Sequence, residues 1–339
     1  MLSELKILCK LNGASGNEDI VRDYIVKEAK KYGETTVDNA GNVIVFKKGT
    51  DKTDKKVMVC AHMDEVALIV TYIDGNGFLK FDTVGGIDTA VLAGKKVTVN
   101  GIDGVIGVKP VHFYKEKELP YPETKDLYID IGAKDKNDAQ KYVTEGDIAY
   151  FNSDNIEFGG HFFKAKAIDD RLGCAIMLKM LKSELKYDTY FAFVVQEEVS
   201  GKGASAAAFT IEPDYAIVIE STTASDIPGV TEENRVCTLG GGAVISFMDR
   251  ATLYDKDLYK TAFKVAKEKN IKIQPKTKVA GGNDSRVIHK SKGGVKTIAV
   301  SCPTRYLHSP ACVIDINDIE PMYNIVKALS EVMAVDKIN

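Results

Sequence analysis

Apolar positions fall into three textures along the 339-residue chain. The first belongs to the opening sixty or so residues. In IVRDYIVKEAKKYG (20–33) apolar residues recur at intervals of three and four, which predicts an amphipathic helix. Ser15 and Glu18 have the spacing of a capping box ahead of it, and Gly33 is placed to end it. TTVDNAGNVIVF (35–46) predicts two short strands around an Asn-Ala-Gly turn. VMVCAHM (57–63) is almost wholly apolar, the pattern of a strand buried on both faces.

The second texture runs from Glu65 to about Gly160. Short β-rich runs dominate: ALIVTYI, GFLKFDTV, KKVTVNG, GVIGVK, LYIDIG and GDIAYF. Gly, Asp and Asn separate them, which predicts a small barrel or sandwich. One short helix is expected around NDAQKYV. After Lys164 the third texture alternates helix and strand. DDRLGCAIMLKMLKSEL, GASAAAFTI, LYKTAFKVAKEKN and IEPMYNIVKALSEVMAV read as helices, and TYFAFVV, YAIVIE and TIAVSC as buried strands. The alternation predicts an α/β fold, a mostly parallel mixed sheet flanked by helices. The simplest arrangement is a discontinuous α/β domain, residues 1–64 and 161–339, interrupted by a small barrel-like β domain at 65–160.

Composition narrows the functional classes. Lys and Arg number 45 against 48 Asp and Glu, a net charge of −3. That balance argues against nucleic-acid binding and against a polybasic membrane surface. No apolar stretch approaches a membrane span, and MLSELKILCKLNGASG lacks the apolar core and cleavage site of a secretory signal. The six cysteines show no CxxC spacing and mostly lie among apolar neighbours. The expectation is a cytoplasmic protein with reduced, buried thiols.

Four motifs at predicted strand or helix ends carry the chemistry. Ends of strands are where open α/β sheets bind ligands. His62 and Asp64, in AHMDE, point to one side of an extended strand. That suits a metal-ligating His with a carboxylate behind it, although a strand-end His satisfied by its neighbours has the same pattern. Asp169 and Asp170 precede a helix. They fit an N-cap and equally a pair of carboxylates around a cation, since adjacent like charges need one to stay ionised together. Glu197 and Glu198 follow the apolar run TYFAFVV directly. Either they meet solvent at the strand end, or one ligates a metal and the other is a general base. His308 lies in YLHSP after TIAVSC. Glu220 ends YAIVIE and is a further candidate ligand, with Asp214 and Asp226 as rivals. Two His among several carboxylates form a mixed N/O set better suited to Zn²⁺ or Co²⁺ than to Mg²⁺ or Ca²⁺.

Taken together, GASGNEDIVRDYI, DNAGNVI, AHMDEV, VGGID, GVIGVKPVHF, LYIDIGAKD, AIDDRLGCA, QEEVSGKGA, ASDIPG, GGNDS and YLHSPACVI run nearly end to end through the chain. In this order they resemble the cytoplasmic tetrahedral di-metal aminopeptidases, the glutamyl and leucyl aminopeptidase-like family. The resemblance implies a zinc-exopeptidase-like α/β fold whose inserted β domain serves dimerisation and assembly. It implies a homo-oligomer, a dodecamer, acting on short peptides, with two divalent ions per subunit. It assigns His62 and His308 to one metal each, Asp169 to both, and Glu198 to the metal of His308, and it implies a cis peptide bond between Asp169 and Asp170. Glu220 falls on the remaining ligand position, where family members usually carry Asp. Glu197 becomes the general base that activates a metal-bridging water, and Asp64 the carboxylate behind His62. The loop Gly281, Gly282, Asn283, Asp284 is implied to face the substrate, although read alone it is a tight turn and helix start.

Two other enzymes compete. A deacylase on the same fold would use the same metals. A glycoside hydrolase needs two carboxylates and no metal, and some relatives have carried cellulase labels. The absence of Trp and the idle histidines weigh against it. A binding scaffold without turnover is a third reading. His289 reads as a helix-surface residue, and His112 and His161 receive no role.

Overall fold

The strand VMVCAH (β3) anchors the architecture because both its faces are covered. Val57, Val59 and Ala61 enter one apolar core, while Met58 and Cys60 enter a second on the opposite face. That is the period-two alternation of a strand with helices on both sides. A computed structural model describes residues 1–113 and 121–338. In chain order the strands are β1 Glu34–Val37, β2 Val43–Lys47, β3 Val57–His62, β4 Ala67–Ile73, β5 Leu79–Val84, β6 Lys96–Val99, β7 Ile102–Val108, β8 Leu127–Asp130 and β9 Ile148–Phe151. They continue as β10 Ile156–Phe158, β11 Phe162–Ala165, β12 Thr189–Val194, β13 Tyr215–Thr223, β14 Ala243–Ile245, β15 Ile273–Pro275, β16 Lys296–Thr304 and β17 Cys312–Asp315. The helices are α1 Leu2–Leu8, α2 Asp19–Ala29, α3 Lys136–Ala139, α4 Ile168–Lys182, α5 Lys202–Ile211, α6 Lys256–Lys269, α7 Ser285–Ile288 and α8 Ile319–Ala334.

Eight strands form the main sheet in the order β1-β2-β12-β3-β13-β16-β14-β15. Its centre, β12-β3-β13-β16, is parallel, and the β1-β2, β2-β12 and β14-β16 pairs are antiparallel. Helices α1, α2, α4, α6 and α8 contribute to the core on one face, α5 and α7 to that on the other. The six β-rich runs close into a barrel, β4-β5-β8-β7-β6-β9. Its interior is filled by Leu68, Val70, Leu79, Phe81, Val97, Ile106 and Ile129. Strand β10 falls numerically within the span assigned to the insert, yet it pairs with β11, which pairs with β17. All six cysteines are buried and unpaired. Among the described residues no helix is long and apolar enough to cross a membrane.

Two local expectations near the N-terminus give way to longer-range contacts. Ser15 and Glu18 form no capping box: α2 starts at Asp19 with no side-chain cap. Ser15 Oγ donates to Asp64 Oδ2 at 2.5 Å, and Glu18 Oε1 accepts from the amides of Gly16 and Gln196. Buried groups elsewhere in the fold outcompete the local cap. Gly33 does not end the helix, which stops at Ala29. A Cβ at Gly33 would lie 2.7 Å from the carbonyl oxygen of Phe46, so close approach to β2 explains the glycine.

A buried ionic knot joins α4 to the N-terminal segment and to the start of the barrel. Arg171 is fully buried and donates to the carbonyls of Met63 (2.8 Å), Leu8 (2.6 Å) and Leu11 (2.9 Å). Its Nη2 lies 3.5 Å from Glu65 Oε1, which also accepts from Lys166 Nζ at 2.9 Å. Removing one partner of such a group leaves buried acceptors and charge uncompensated. Arg171→Met is therefore expected to destabilise the fold by about 3–5 kcal/mol, read as a fall in the urea midpoint of unfolding. A wild-type midpoint would contradict this account of the knot.

Candidate metal centre

Parallel register brings the motifs together. His62 is the last residue of β3 and pairs with Val194, the last residue of β12, so Glu197 and Glu198 leave the sheet beside it. On the other side Val218 pairs with Cys60. Two residues further along each strand, Glu220 reaches the level of His62 and points to the same face. Gln196 turns the chain at the end of β12 with φ of 59°, and His308 follows β16 with φ of 55°. Non-glycine residues adopt this left-handed conformation rarely, and often at functional sites.

Each imidazole is oriented by a main-chain carbonyl. A carbonyl only accepts, so His62 Nδ1 donates to the Asp64 carbonyl at 3.1 Å and His308 Nδ1 to the Gly86 carbonyl at 2.7 Å. Both Nε2 atoms are thereby left facing the carboxylates. His62 Nε2 is 3.5 Å from Asp169 Oδ1 and 3.9 Å from Glu220 Oε2. His308 Nε2 is 3.4 Å from Asp169 Oδ2 and 3.5 Å from Glu198 Oε2. The result is two groups of potential ligands, His62-Asp169-Glu220 and Asp169-Glu198-His308. Within each group the ligand atoms lie within 4.8 Å of one another. Asp169 is common to both and turns one oxygen to each histidine.

The peptide between Asp169 and Asp170 is cis. Asp170 is buried, and its Oδ1 accepts from the amide of Gly173 at 3.0 Å. It thus acts as a cap for α4 while its neighbour faces the histidines. A Cβ at Gly173 would meet Asp170 Oδ2 at 2.4 Å, so only glycine fits there. Asp64 anchors the opposite side. Its Oδ1 accepts from the Glu197 amide at 3.0 Å and its Oδ2 from the Glu198 amide at 3.1 Å. It lies behind His62, with Oδ1 3.4 Å from Nδ1.

The charge state of the cluster shows what it lacks. Burial pushes the carboxyls of Glu220 and Asp170 well above the ordinary range, Glu198 to about 8, and Glu197 upward. Burial also opposes charge on the histidines, but Asp169 and the other carboxylates raise His62 well above its usual value and His308 to about 9. Asp169 is held low, against burial, by His308 and His62. Asp64 is likewise held low, by His62, Ser15 and the Glu197 amide. Glu220 Oε1 is buried without a hydrogen-bond partner. An unpaired acceptor and a set of carboxylates forced to share protons are what divalent cations would relieve. Two imidazole nitrogens with carboxylate oxygens also match the donor set of a borderline transition metal. The residues fit a pair of such ions.

The rivals of Glu220 are engaged elsewhere. Asp226 forms a two-pronged pair with Arg305 at 2.8 Å, and Asp214 accepts from the Lys56 amide at 2.8 Å. In the loop 281–284, Gly281 and Gly282 are exposed, whereas Asn283 and Asp284 are buried. Asn283 donates to the Tyr254 hydroxyl at 2.9 Å and accepts from the Ser285 amide at 2.8 Å. Asp284 has both oxygens buried without partners. His289 caps the end of α7, His161 stacks on Phe162, and His112 is exposed. None of the three enters either ligand group.

Sequence reasoning left several contributors unassigned. Gly85 and Gly86 come from the barrel side. Gly86 orients His308, and a Cβ at Gly85 would crowd Glu198 Oε2 at 3.3 Å. Their signal was the string VGGID, which carries no reactive group. Ser15 and Arg286 touch Asp64 and Glu197 from distant parts of the chain.

Comparison with known proteins agrees with the geometry. The chain is 40% identical to an inferred aminopeptidase of Acetivibrio thermocellus over 98% of both proteins. The solved aminopeptidase of Desulfurococcus kamchatkensis superposes with a TM-score of 0.93 at 34% identity, covering 99% of this chain and 97% of that one. The TET1 peptidase of Pyrococcus horikoshii, described as assembling into a tetrahedron or a large octahedral shell, gives 0.85 at 34% identity over 97% and 98%. The profile of the M42 glutamyl aminopeptidases matches residues 41–325. With the match spanning most of the chain and the fold agreeing, the chain belongs to the M42 family of metal-dependent aminopeptidases.

Proposed function

We propose that the chain removes the N-terminal residue of short peptides, with Glu197 as the general base and two divalent ions, Zn²⁺ or Co²⁺, as cofactors. The observation that carries this reading is the position of Asp169 between two ligand groups, with Glu197 adjacent to a member of the second. His62, Asp169 and Glu220 would hold one ion, and Asp169, Glu198 and His308 the other. When bound, such a pair polarises the scissile carbonyl and lowers the pKa of water.

The chain's own residues handle the proton. Glu197 takes it from the attacking water at its carboxylate and returns it to the leaving amine. Burial raises the Glu197 carboxyl from its ordinary value, which moves it towards the pH at which accepting and releasing a proton are both easy. Asp64 stays ionised and holds the amides of Glu197 and Glu198 in place. The acidic surroundings suit the α-ammonium of a free N-terminus, which an internal residue lacks. This selects an exopeptidase and disfavours N-acylated substrates.

The barrel supports a second part of the proposal, self-association into a dodecamer. It exposes Tyr72, Val105, Tyr142 and, on its connections, Phe113 and Tyr121. Burial of such side chains against another copy would remove apolar area from water, and the TET1 relative can assemble into a tetrahedron or a large octahedral shell.

Three outcomes are expected. Glu197→Gln keeps its metal content and loses at least about 10²-fold in kcat; near wild-type turnover in a metal-replete variant would remove Glu197 from the role of base. Exhaustive chelation abolishes hydrolysis of aminoacyl substrates, and Zn²⁺ or Co²⁺ restores it with two equivalents per chain. Activity persisting in verified metal-free protein would overturn the cofactor assignment. Light scattering gives a mass of many subunits, whereas a concentration-independent monomer would contradict the assembly.

A further inference from the structure

Both main-chain polar groups of Glu197 are held, and the second hold comes from α7, none of whose residues is in either candidate ligand group. Its N–H is taken by Asp64. Its C=O accepts from Arg286 Nη2 at 2.8 Å, and the same nitrogen lies 3.3 Å from Glu197 Oε1. One guanidinium nitrogen therefore touches both the main chain and the carboxylate of a single residue. That fixes the side chain relative to its own backbone, as two separate surface charges would not. The arginine side chain is 31% exposed and the glutamate 10%, so the contact is shielded on the glutamate side.

The surroundings are shaped for this contact. Arg286 lies in α7, directly after the loop that ends in Asp284. Its Nε is buried without a partner, as are both oxygens of Asp284. Gly201, four residues beyond Glu197, has φ of +73°. A Cβ there would come within 3.2 Å of Asp284 Oδ1 and 3.4 Å of Arg286 Nε. The loop carrying the two glutamates and the turn carrying the arginine are thus in close contact, and the left-handed backbone at Gly201 favours glycine there.

From this geometry we infer that Arg286 is a positioning residue for the reaction: it locks the rotamer of Glu197 so that its carboxylate faces the attacking water. The inference rests on Glu197 being the base, as proposed above. A glutamate side chain has considerable rotamer freedom to lose. A general base displaced by about 1 Å loses up to about 10²-fold in rate. Arg286 touches no metal ligand side chain, so its effect falls on turnover and leaves metal content alone.

The test is a double-mutant cycle on the full-length, metal-loaded protein with an aminoacyl amide. Arg286→Met is expected to lower kcat by about 10- to 100-fold, with KM and metal content unchanged. In the Glu197→Gln background the same substitution is expected to change kcat by less than about twofold, because the group it positions is gone. Arg286→Lys, which keeps the cation and one donor, recovers part of the loss and replaces the Met variant in the cycle if that variant fails to fold. A kcat for Arg286→Met within about twofold of wild type would overturn the inference. So would a loss that persists undiminished in the Glu197→Gln background or tracks a loss of metal, since either marks a structural role. If Glu197→Gln alone retains full activity, the assignment of the base fails instead, and the two failures are told apart.

Discussion

Carboxylates and imidazoles are gathered at the end of a sheet whose strands are otherwise apolar, and their electrostatics governs the rest of the structure. Buried charge is costly unless it is compensated. The protein compensates what it can by internal means: Asp64 accepts from Ser15, Glu197 and Glu198, and Asp170 is tied to α4. Asp169 pairs with both histidines and accepts from the Ser221 amide, while Glu220 Oε1 and Asp170 Oδ2 are buried without hydrogen-bond partners. The fold thus places acids tied to main-chain amides beside acids grouped with the two histidines. The apolar strands supply the rigidity that keeps the second set together despite mutual repulsion.

Much of this was legible in the chain because polarity changes abruptly. An apolar run that ends in His62, or that leads into Glu197 and Glu198, marks a strand end where charge is tolerated for a reason. The alternation of helices and strands then places such ends on one edge of a sheet. The barrel was legible from turn residues at regular spacing, which is why its six strands match the six β-rich runs. Residues whose importance lies in what they do not occupy were harder to find. Gly85, Gly173 and Gly201 matter because a Cβ would collide with Glu198, Asp170 or the Asp284–Arg286 turn, and nothing in a glycine announces its neighbour. Ser15 and Glu18 were misread for the opposite reason. Their spacing matches a local motif, but Ser15 bonds to Asp64 and Glu18 to the amides of Gly16 and the distant Gln196. Arg286 follows a Gly-rich turn and looks like an ordinary helix-surface cation until the carbonyl of Glu197 is seen beside it.

The barrel is also more than an appendage to the metal centre. Gly86 supplies the carbonyl that orients His308, and Gly85 packs against Glu198. The Arg171 knot binds the first residues of the barrel segment to α4, whose first turn holds the shared aspartate. The barrel segment is thus in direct contact with the histidine furthest from it in sequence. If assembly occurs through the barrel, association and the geometry of the site are mechanically connected through these two glycines.

The order of strands in the main sheet has a consequence for biosynthesis. Strand β16 lies between β13 and β14, although it follows both in sequence. The sheet cannot close, nor His308 reach Asp169, until nearly the whole chain has been made and this late strand has inserted. Before that, the chain order allows only the first candidate ligand group, His62, Asp169 and Glu220, to be assembled. Both candidate ligand groups are therefore complete only once the last parallel strand is in place.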